Sequence, residues 1–192
     1  MRRFAALLFG LMLPLASTGS VYRGTNYRID STHSQAAFGV RLLWLHTING
    51  RFTQITGLMR AGPQPATAIV DATITIDSVV VDSQITRRWL LSREFFDATR
   101  YPTVRFVSDP FLLSTLDQGG DLPGQLSLRG VTAPVRFTLQ PLYCPSAASP
   151  PICHVLLVGH LLRSDFGMTS HRAAVSDQVE LNLDIALQTT RH

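Results

Sequence analysis

The side chains best suited to nucleophilic chemistry lie close together in the segment IDSTHS. It contains Asp30, Ser31, His33 and Ser34, the three residue types of a serine-hydrolase triad. Such triads are assembled from distant segments, and neighbouring residues of one strand point to opposite faces of a sheet. The chain also lacks the GxSxG sequence that presents a serine nucleophile on a sharp turn. The spacing therefore does not favour a serine hydrolase.

The remaining titratable side chains show no catalytic or metal-binding pattern. The six histidines form neither an HExxH nor an HxH pairing. Eleven Asp and two Glu leave a glycosidase pair of converging carboxylates open, but their spacing singles out no such pair. There is no phosphate-binding loop or dinucleotide fingerprint. We therefore predict that the protein is not an enzyme and uses no metal or cofactor.

The two cysteines predict a disulfide bond. Cys144 and Cys153 enclose the Pro/Ser/Ala-rich loop CPSAASPPIC. In an oxidising compartment, two cysteines this close favour a covalent staple. A metal pair is the alternative, but only His154 is near them in sequence.

The composition excludes several classes of protein. The chain has 192 residues, of which 45% are hydrophobic and 16% charged, so it is not intrinsically disordered and has room for one domain. All 17 basic residues are Arg, which are scattered, so nucleic-acid binding is not predicted. Val, Ile and Thr total 41 residues, which favours strands.

The N-terminus predicts a secretory signal peptide over residues 1–20. Arg2 and Arg3 precede an apolar run from Phe4 to Ala16, and small residues follow the run. A membrane anchor is the alternative, but this run of about 13 residues falls short of the roughly 20 that a bilayer requires. We expect an exported chain with a single domain over residues 21–192.

Alternation of apolar and polar residues predicts strands. In VDATITIDSV, Val70, Ala72, Ile74 and Ile76 fall on one face, and VELNLDIAL shows the same period of two. About eight such runs are separated by Gly, Pro, Asp and Asn. The pattern indicates an all-β fold, with an antiparallel sheet that closes into a barrel or packs as a sandwich.

One segment, SQITRRWLLSREFFDATRYP, does not alternate. Its charges and its apolar residues Trp89, Phe95 and Phe96 fit a short helix that ends before Pro102. We expect a crossover helix that closes one end of a barrel. It could also serve as a lid or touch a membrane, because Arg with Trp and Phe suits a bilayer interface.

The inward face of such a barrel either fills the interior or lines a cavity for one small ligand. The residues expected there are large and apolar, and a cavity built from them would suit a lipid tail. They are Phe38, Phe52, Ile74, Ile76, Phe106, Leu126, Leu128, Phe137, Leu181 and Leu183.

Several segments, in order, resemble the YceI-like family of periplasmic polyisoprenoid-binding proteins. They are YRIDSTHSQAAFGV, NGRFTQITG, VDATITIDSVVVDSQITRRWLLSREFFDATRYPTVRFVS, GQLSLRGVTAPVRFTL, LLRSDFGM and VSDQVELNLDI. The resemblance covers about residues 27–187, and Leu91 to Pro102 is its most specific part. The chain departs from the usual family pattern at Arg41 to Leu43, which follow the first strand, and at Arg87 to Trp89.

The resemblance implies a lipocalin-like antiparallel β-barrel with one short crossover helix, exported to the periplasm. It further implies an apolar tunnel that holds an isoprenoid lipid or quinone. The residues it places in ligand binding are Phe38, Val40, Phe52, Ile74, Ile76, Trp89, Phe95, Phe96, Phe106, Leu126, Leu128, Phe137, Phe166, Met168 and Leu183. Arg163, Ser164 and Asp165 are expected to hold a turn rather than a ligand.

Three functions follow as expectations. The first is transport, storage or sequestration of the lipid, with transient contact with a membrane surface. The second is a filled barrel that serves a stress response or binds a protein partner. The third is an enzyme that acts on such a lipid. A homodimer, formed through a sheet edge or residues 85–100, is a further expectation.

Overall fold

The computed structural model describes residues 26–43, 45–144 and 152–189. The expected signal peptide, residues 1–20, lies outside the described residues. The elements are β1 (Tyr27–Ile29), β2 (Gln35–Leu42), β3 (His46–Phe52), β4 (Ile55–Ala61), β5 (Thr67–Thr75), β6 (Val79–Val81), α1 (Gln84–Leu91), β7 (Thr103–Ser108), β8 (Phe111–Leu112), α2 (Ser114–Gln118), β9 (Gly120–Leu128), β10 (Val131–Leu139), β11 (Cys153–Leu162) and β12 (Val175–Thr189), with 3-10 helices at Ile76–Ser78 and Arg163–Phe166. Within these ranges, no helix is both long and apolar enough to cross a membrane.

Eight antiparallel strands close into a barrel, because three of them are bent pairs of shorter strands. β1 and β2 both pair with the long strand β12. β3 pairs with β2 and β6, whereas its continuation β4 pairs with β1 and β5. β5 continues into β6 through the 3-10 helix Ile76–Ser78. With β7, β9, β10, β11 and β12 as single strands, the sheet runs round and closes through β1 and β4. The expected barrel of about eight strands is confirmed.

The IDSTHS segment forms the bend between β1 and β2. The Asp30 carboxylate accepts hydrogen bonds from the Thr32 amide at 2.9 Å and the Gln188 side-chain amide at 2.6 Å, and it lies 2.7 Å from Nδ1 of His33. The Ser34 hydroxyl accepts from the backbone N–H of Ala186 at 2.9 Å. These polar groups therefore fix the bend against β12.

The two ends of the barrel differ. We call the end that carries α1, the β2–β3 hairpin and residues 163–174 the helical end. There, Leu43 donates its backbone N–H to the Ala174 carbonyl at 2.7 Å. The opposite end carries β8 and α2. The predicted disulfide joins Cys144, which follows β10, to Cys153, the first residue of β11.

The crossover helix α1 begins where its sequence predicts. The Ser83 side chain caps the helix by accepting hydrogen bonds from the backbone N–H groups of Ile85 and Thr86. Leu90 is the buried residue of the helix. Backbone bonds from Phe96 and Ala98 then fold the following turns onto the last turn of the helix. The five-residue α2 was not predicted, because so short a helix shows no 3.6-residue period.

Four carboxylates of the described residues have pKa values below the ordinary range. A hydrogen bond with His171 lowers the pKa of Glu94, and the other three carboxylates belong to the barrel. Burial raises the pKa of Asp30, but hydrogen bonds from Thr32 and His33 outweigh it, and the net pKa is lowered. The Arg105 guanidinium, at 2.6 Å, lowers the pKa of Asp71. Hydrogen bonds from Ser164 lower the pKa of Asp177.

We expect acid to destabilise the fold through these groups. A carboxylate whose folded pKa is lowered stabilises the native state above its unfolded pKa of about 4, and this stabilisation is lost as the pH falls through the folded pKa. The free energy of unfolding, measured with urea, should therefore include a constant contribution from these groups above about pH 5. Below about pH 4 it should decrease as the pH is lowered. Ser164→Ala removes a hydrogen bond to the Asp177 carboxylate, so the pKa of Asp177 in the folded state should be lowered less. The decrease in the free energy of unfolding that Asp177 causes should then be complete at a higher pH. Stability unchanged down to about pH 2.5 would contradict the prediction.

Candidate functional site

An apolar cavity of about 180 Å³ runs along the inside of the barrel. Among the residues that the structure describes, 36 form its wall, of which only Arg163 is charged and the others are apolar. An apolar cavity of roughly 150 Å³ in another protein stays dry and binds benzene. The barrel is therefore hollow, and its interior favours an apolar occupant.

Thirteen of the fifteen side chains expected in ligand binding line this cavity. They are Phe38, Val40, Phe52, Ile74, Trp89, Phe95, Phe96, Phe106, Leu126, Leu128, Phe137, Met168 and Leu183. Their place in the wall follows from strand alternation and from the turns after α1. Their contact with a ligand stays a prediction.

The structure places Ile76 and Phe166 elsewhere. Both are fully buried in a second apolar cluster, where they pack with Val104 and its neighbours near the helical end. Ile76 begins a 3-10 helix and donates its backbone N–H to the Pro102 carbonyl, so it leaves the alternation of β5. Phe166 ends the other 3-10 helix. Neither side chain is part of the cavity wall, and its contact with a ligand stays a prediction.

Sequence reasoning missed about half of the wall. The missed residues that lie on β4, β8, α2 and β11 include Ile55, Met59, Phe111, Leu116, Val155, Leu157 and Leu161. In β11 the sequence CHVLLVGHLL gives no signal of alternation, because the exposed Leu156 and Val158 are as apolar as the inward Val155 and Leu157. The two-residue strand β8 and the single turn of α2 are too short to show a period.

A stack of aromatic rings covers the cavity at the helical end. The rings of Trp89 and Phe95 lie 4.2 Å apart, and His171 stacks parallel to Phe95 at 6.2 Å. Nε2 of His171 lies 2.8 Å from a carboxylate oxygen of Glu94. We call Trp89, Phe95 and His171 the aromatic lid. Its three rings lie at the end of the barrel that the crossover helix is expected to close.

Beneath the lid, Phe96 enters the cavity wall. Its ring makes edge contacts with Phe52 at 5.6 Å and with Phe38 at 6.3 Å. Aromatic pairs at these distances and angles are favourable beyond the area that they bury. Phe96 therefore ties the segment after α1 to strands β2 and β3.

Arg163, the one charged group in the wall, is held by backbone carbonyls. It donates from Nε to the Ser176 carbonyl at 2.8 Å and from one terminal nitrogen to the Val175 carbonyl at 3.1 Å. Its guanidinium also lies over the Phe95 ring at 5.6 Å. Ser164 donates to the Asp177 carboxylate at 2.6 Å. The expectation that these residues hold a turn is confirmed for Arg163 and Ser164.

The described residues offer the cavity no catalytic or metal-binding set. No group of three His, Cys, Asp or Glu in this part of the chain could hold a metal ion. Three His–carboxylate pairs exist, at His33–Asp30, His154–Asp184 and His171–Glu94. The wall of the cavity contains none of these six residues within the described ranges. Its chemistry is that of an apolar container.

Comparison with known proteins identifies this barrel. The model of the YceI-like domain matches residues 27–187. The chain belongs to the YceI-like family. Protein YceI of Salmonella agona is 27% identical over 190 residues, which cover 95% of this chain and 92% of that protein.

Solved structures share the fold of this YceI-like chain. BcnA from Burkholderia cenocepacia superposes with a TM-score of 0.69 at 17% identity, over 82% of this chain and 98% of BcnA. A polyisoprenoid binding domain from Saccharophagus degradans gives a TM-score of 0.63 at 15% identity, over 85% of this chain and 98% of that domain. These likenesses establish a YceI-like barrel.

The structure explains one departure from the usual YceI-like pattern. Arg87 donates to the Asp77 carbonyl at 2.6 Å and to its carboxylate at 2.8 Å, and Nε of Arg87 donates to the Val79 carbonyl. The guanidinium therefore anchors α1 to the bend between β5 and β6. Two residues on, Trp89 lines the cavity and takes part in the aromatic lid.

Proposed function

We propose that the protein holds a long-chain isoprenoid lipid, of the polyprenol or isoprenoid quinone type, in its cavity. The observation that carries this proposal is the wall, in which 35 of 36 residues are apolar. The likeness to a polyisoprenoid binding domain supports the ligand class. The protein acts by transport, storage or sequestration of the lipid, without a reaction on it.

The energetics suit a carrier or buffer. A chain of some forty carbons gains of order 20–30 kcal/mol on transfer out of water, at about 0.8 kcal/mol per CH₂. A bilayer solvates the same chain equally well, so transfer from the membrane to the barrel is close to neutral. Specificity then depends on the length of the cavity and on contacts at its mouth.

The cavity must widen to take such a chain. A volume of about 180 Å³ holds a single small ring, whereas an isoprenoid chain is far longer. Met59 near the opposite end and Met168 near the helical end both line the wall. Methionine has three rotatable bonds and fills irregular gaps, so these side chains can move aside at low cost.

The expected site of action is the periplasm, where a signal peptide over residues 1–20 would direct the chain. The disulfide between Cys144 and Cys153 supports an oxidising compartment. A homodimer and transient contact with a membrane surface belong to the same proposal.

Native mass spectrometry tests the proposal. The mature protein is purified from the periplasm without detergent, and its mass is measured before and after organic extraction. We expect a discrete added mass that extracts as a polyprenyl lipid. A protein that is empty as purified, and stays empty after incubation with quinones and polyprenols, would instead favour an interaction module.

A further inference from the structure

The tip of the β2–β3 hairpin exposes large apolar side chains. Leu45 is 93% exposed and Leu43 is 57% exposed. Leu43 also has a left-handed backbone with φ of 48°, which is unfavourable for a bulky residue. Exposed leucines on a strained turn contribute nothing to the core, and strained residues cluster at functional sites. The hairpin tip therefore presents an apolar surface outside the barrel.

The hairpin tip adjoins the aromatic lid. Leu43 donates its backbone N–H to the Ala174 carbonyl, and His171, three residues earlier, stacks on Phe95. On α1, Ile85 is 72% exposed and lies one helical turn before Trp89, on the same side of the helix. Three exposed apolar side chains, Leu43, Leu45 and Ile85, thus belong to the end of the barrel that the lid closes. We call them the apolar tip.

Exposed cations accompany the apolar tip. Arg88, Arg93 and Arg172 are exposed at the helical end, and each lies more than 4.0 Å from the carboxylates of the described residues. The exposed carboxylates there are those of Asp77, Asp82, Glu94 and Asp165, so the net charge is low and charge acts only as an aid. At the opposite end, Leu112 is 59% exposed but follows the exposed carboxylate of Asp109. Free cations beside exposed apolar groups complement an anionic lipid surface.

We propose that the apolar tip docks the helical end on an anionic lipid bilayer, so that the lid faces the membrane. This inference rests on the proposed function, because a barrel that carries lipid must exchange it with a bilayer. If the lipid left the membrane through water, the exposure of each CH₂ group of its chain would cost about 0.8 kcal/mol. Docking with the lid against the membrane lets the chain pass directly between two apolar phases.

Flotation with lipid vesicles tests the docking. The whole mature protein is mixed with vesicles of phosphatidylethanolamine and phosphatidylglycerol or with vesicles of phosphatidylcholine alone. The doubly substituted variant L45E/I85E replaces exposed side chains that lie outside the cavity wall. Leu112→Glu is the matched control, because it adds the same charge to an exposed leucine at the opposite end. Native mass spectrometry of bound lipid accompanies each variant.

We expect L45E/I85E to bind the anionic vesicles at least about ten-fold more weakly than the wild type, since two apolar anchors become charges that the surface repels. Leu112→Glu should bind as the wild type does, and both variants should keep their bound lipid. Raising the ionic strength to about 1 M should weaken the wild type only in part, because it screens the arginines but leaves the apolar anchors.

Three results would overturn the docking proposal. In the first, L45E/I85E binds the anionic vesicles as tightly as the wild type does. In the second, Leu112→Glu weakens vesicle binding as much as L45E/I85E does. In the third, the wild type forms a dimer in solution and L45E/I85E is a monomer. The last would assign the tip to self-association. A wild-type protein that carries no lipid would instead contradict the proposed function. The failure of the docking proposal and the failure of the proposed function are therefore distinguishable.

Discussion

Ala72→Trp is expected to abolish lipid retention while the barrel still folds. Ala72 lies in the middle of β5, lines the cavity, and pairs with Gly57 on one side and Phe106 on the other. An indole at this position projects into a cavity of about 180 Å³ and blocks the path of a chain. Displacing only two methylene groups, at about 0.8 kcal/mol each, already weakens binding more than ten-fold.

The outward-facing residue Thr56 provides the control for this blockade. It lies on β4, next to β5, and its side chain is exposed. Thr56→Trp adds the same indole outside the barrel, so it should keep its lipid when both variants are measured by native mass spectrometry. Overpacking costs about 1–3 kcal/mol, which thermal unfolding of Ala72→Trp will report.

If Ala72→Trp does not fold, the same experiment can be made nearer the helical end. Leu128→Trp, also in the cavity wall, narrows the path without adding a charge. A folded protein with either inward tryptophan and a full complement of lipid would show that the chain does not run through this cavity.

The sequence was informative where one face of a strand is polar. In the segments now seen as β5 and β12, acidic and hydroxyl side chains alternate with Val, Ile and Leu, so the inward residues Ala72, Ile74 and Leu183 could be identified. The short helix was also predictable, because Ser83 caps its start and Pro102 limits how far it can continue. These are local features with a local physical cause.

Other features depend on packing in three dimensions. The alternation predicts that Ile76 lines the cavity, but the chain coils into a 3-10 helix at that residue and buries it behind the cavity wall. Nor does alternation decide between a filled and a hollow barrel, because that depends on how the side chains of eight strands meet across the interior. The role of Arg163 follows only from the approach of the carbonyls of Val175 and Ser176.

Arg163→Met is expected to lower the free energy of unfolding by about 2–4 kcal/mol, since it leaves buried carbonyls without donors. The guanidinium is buried and donates to the carbonyls of Ser176 and Val175. Methionine can fill the space but donates no hydrogen bond. Urea unfolding measures the loss. Arg172→Met is the matched control, because Arg172 is exposed and its replacement leaves those carbonyls paired.

The damage from Arg163→Met should be concentrated at the helical end. The carbonyls that lose their donor are those of the first two residues of β12, directly after the segment that carries His171 of the aromatic lid. Amide hydrogen exchange should therefore rise over residues 168–176, while the amides of β4, which runs toward the opposite end of the barrel, keep their protection. Arg163→Lys should recover only part of the stability, because one ammonium cannot reproduce a planar fork that reaches two carbonyls. Full recovery with lysine would show that a buried positive charge alone, rather than the geometry of the guanidinium, holds the lid segment to the barrel.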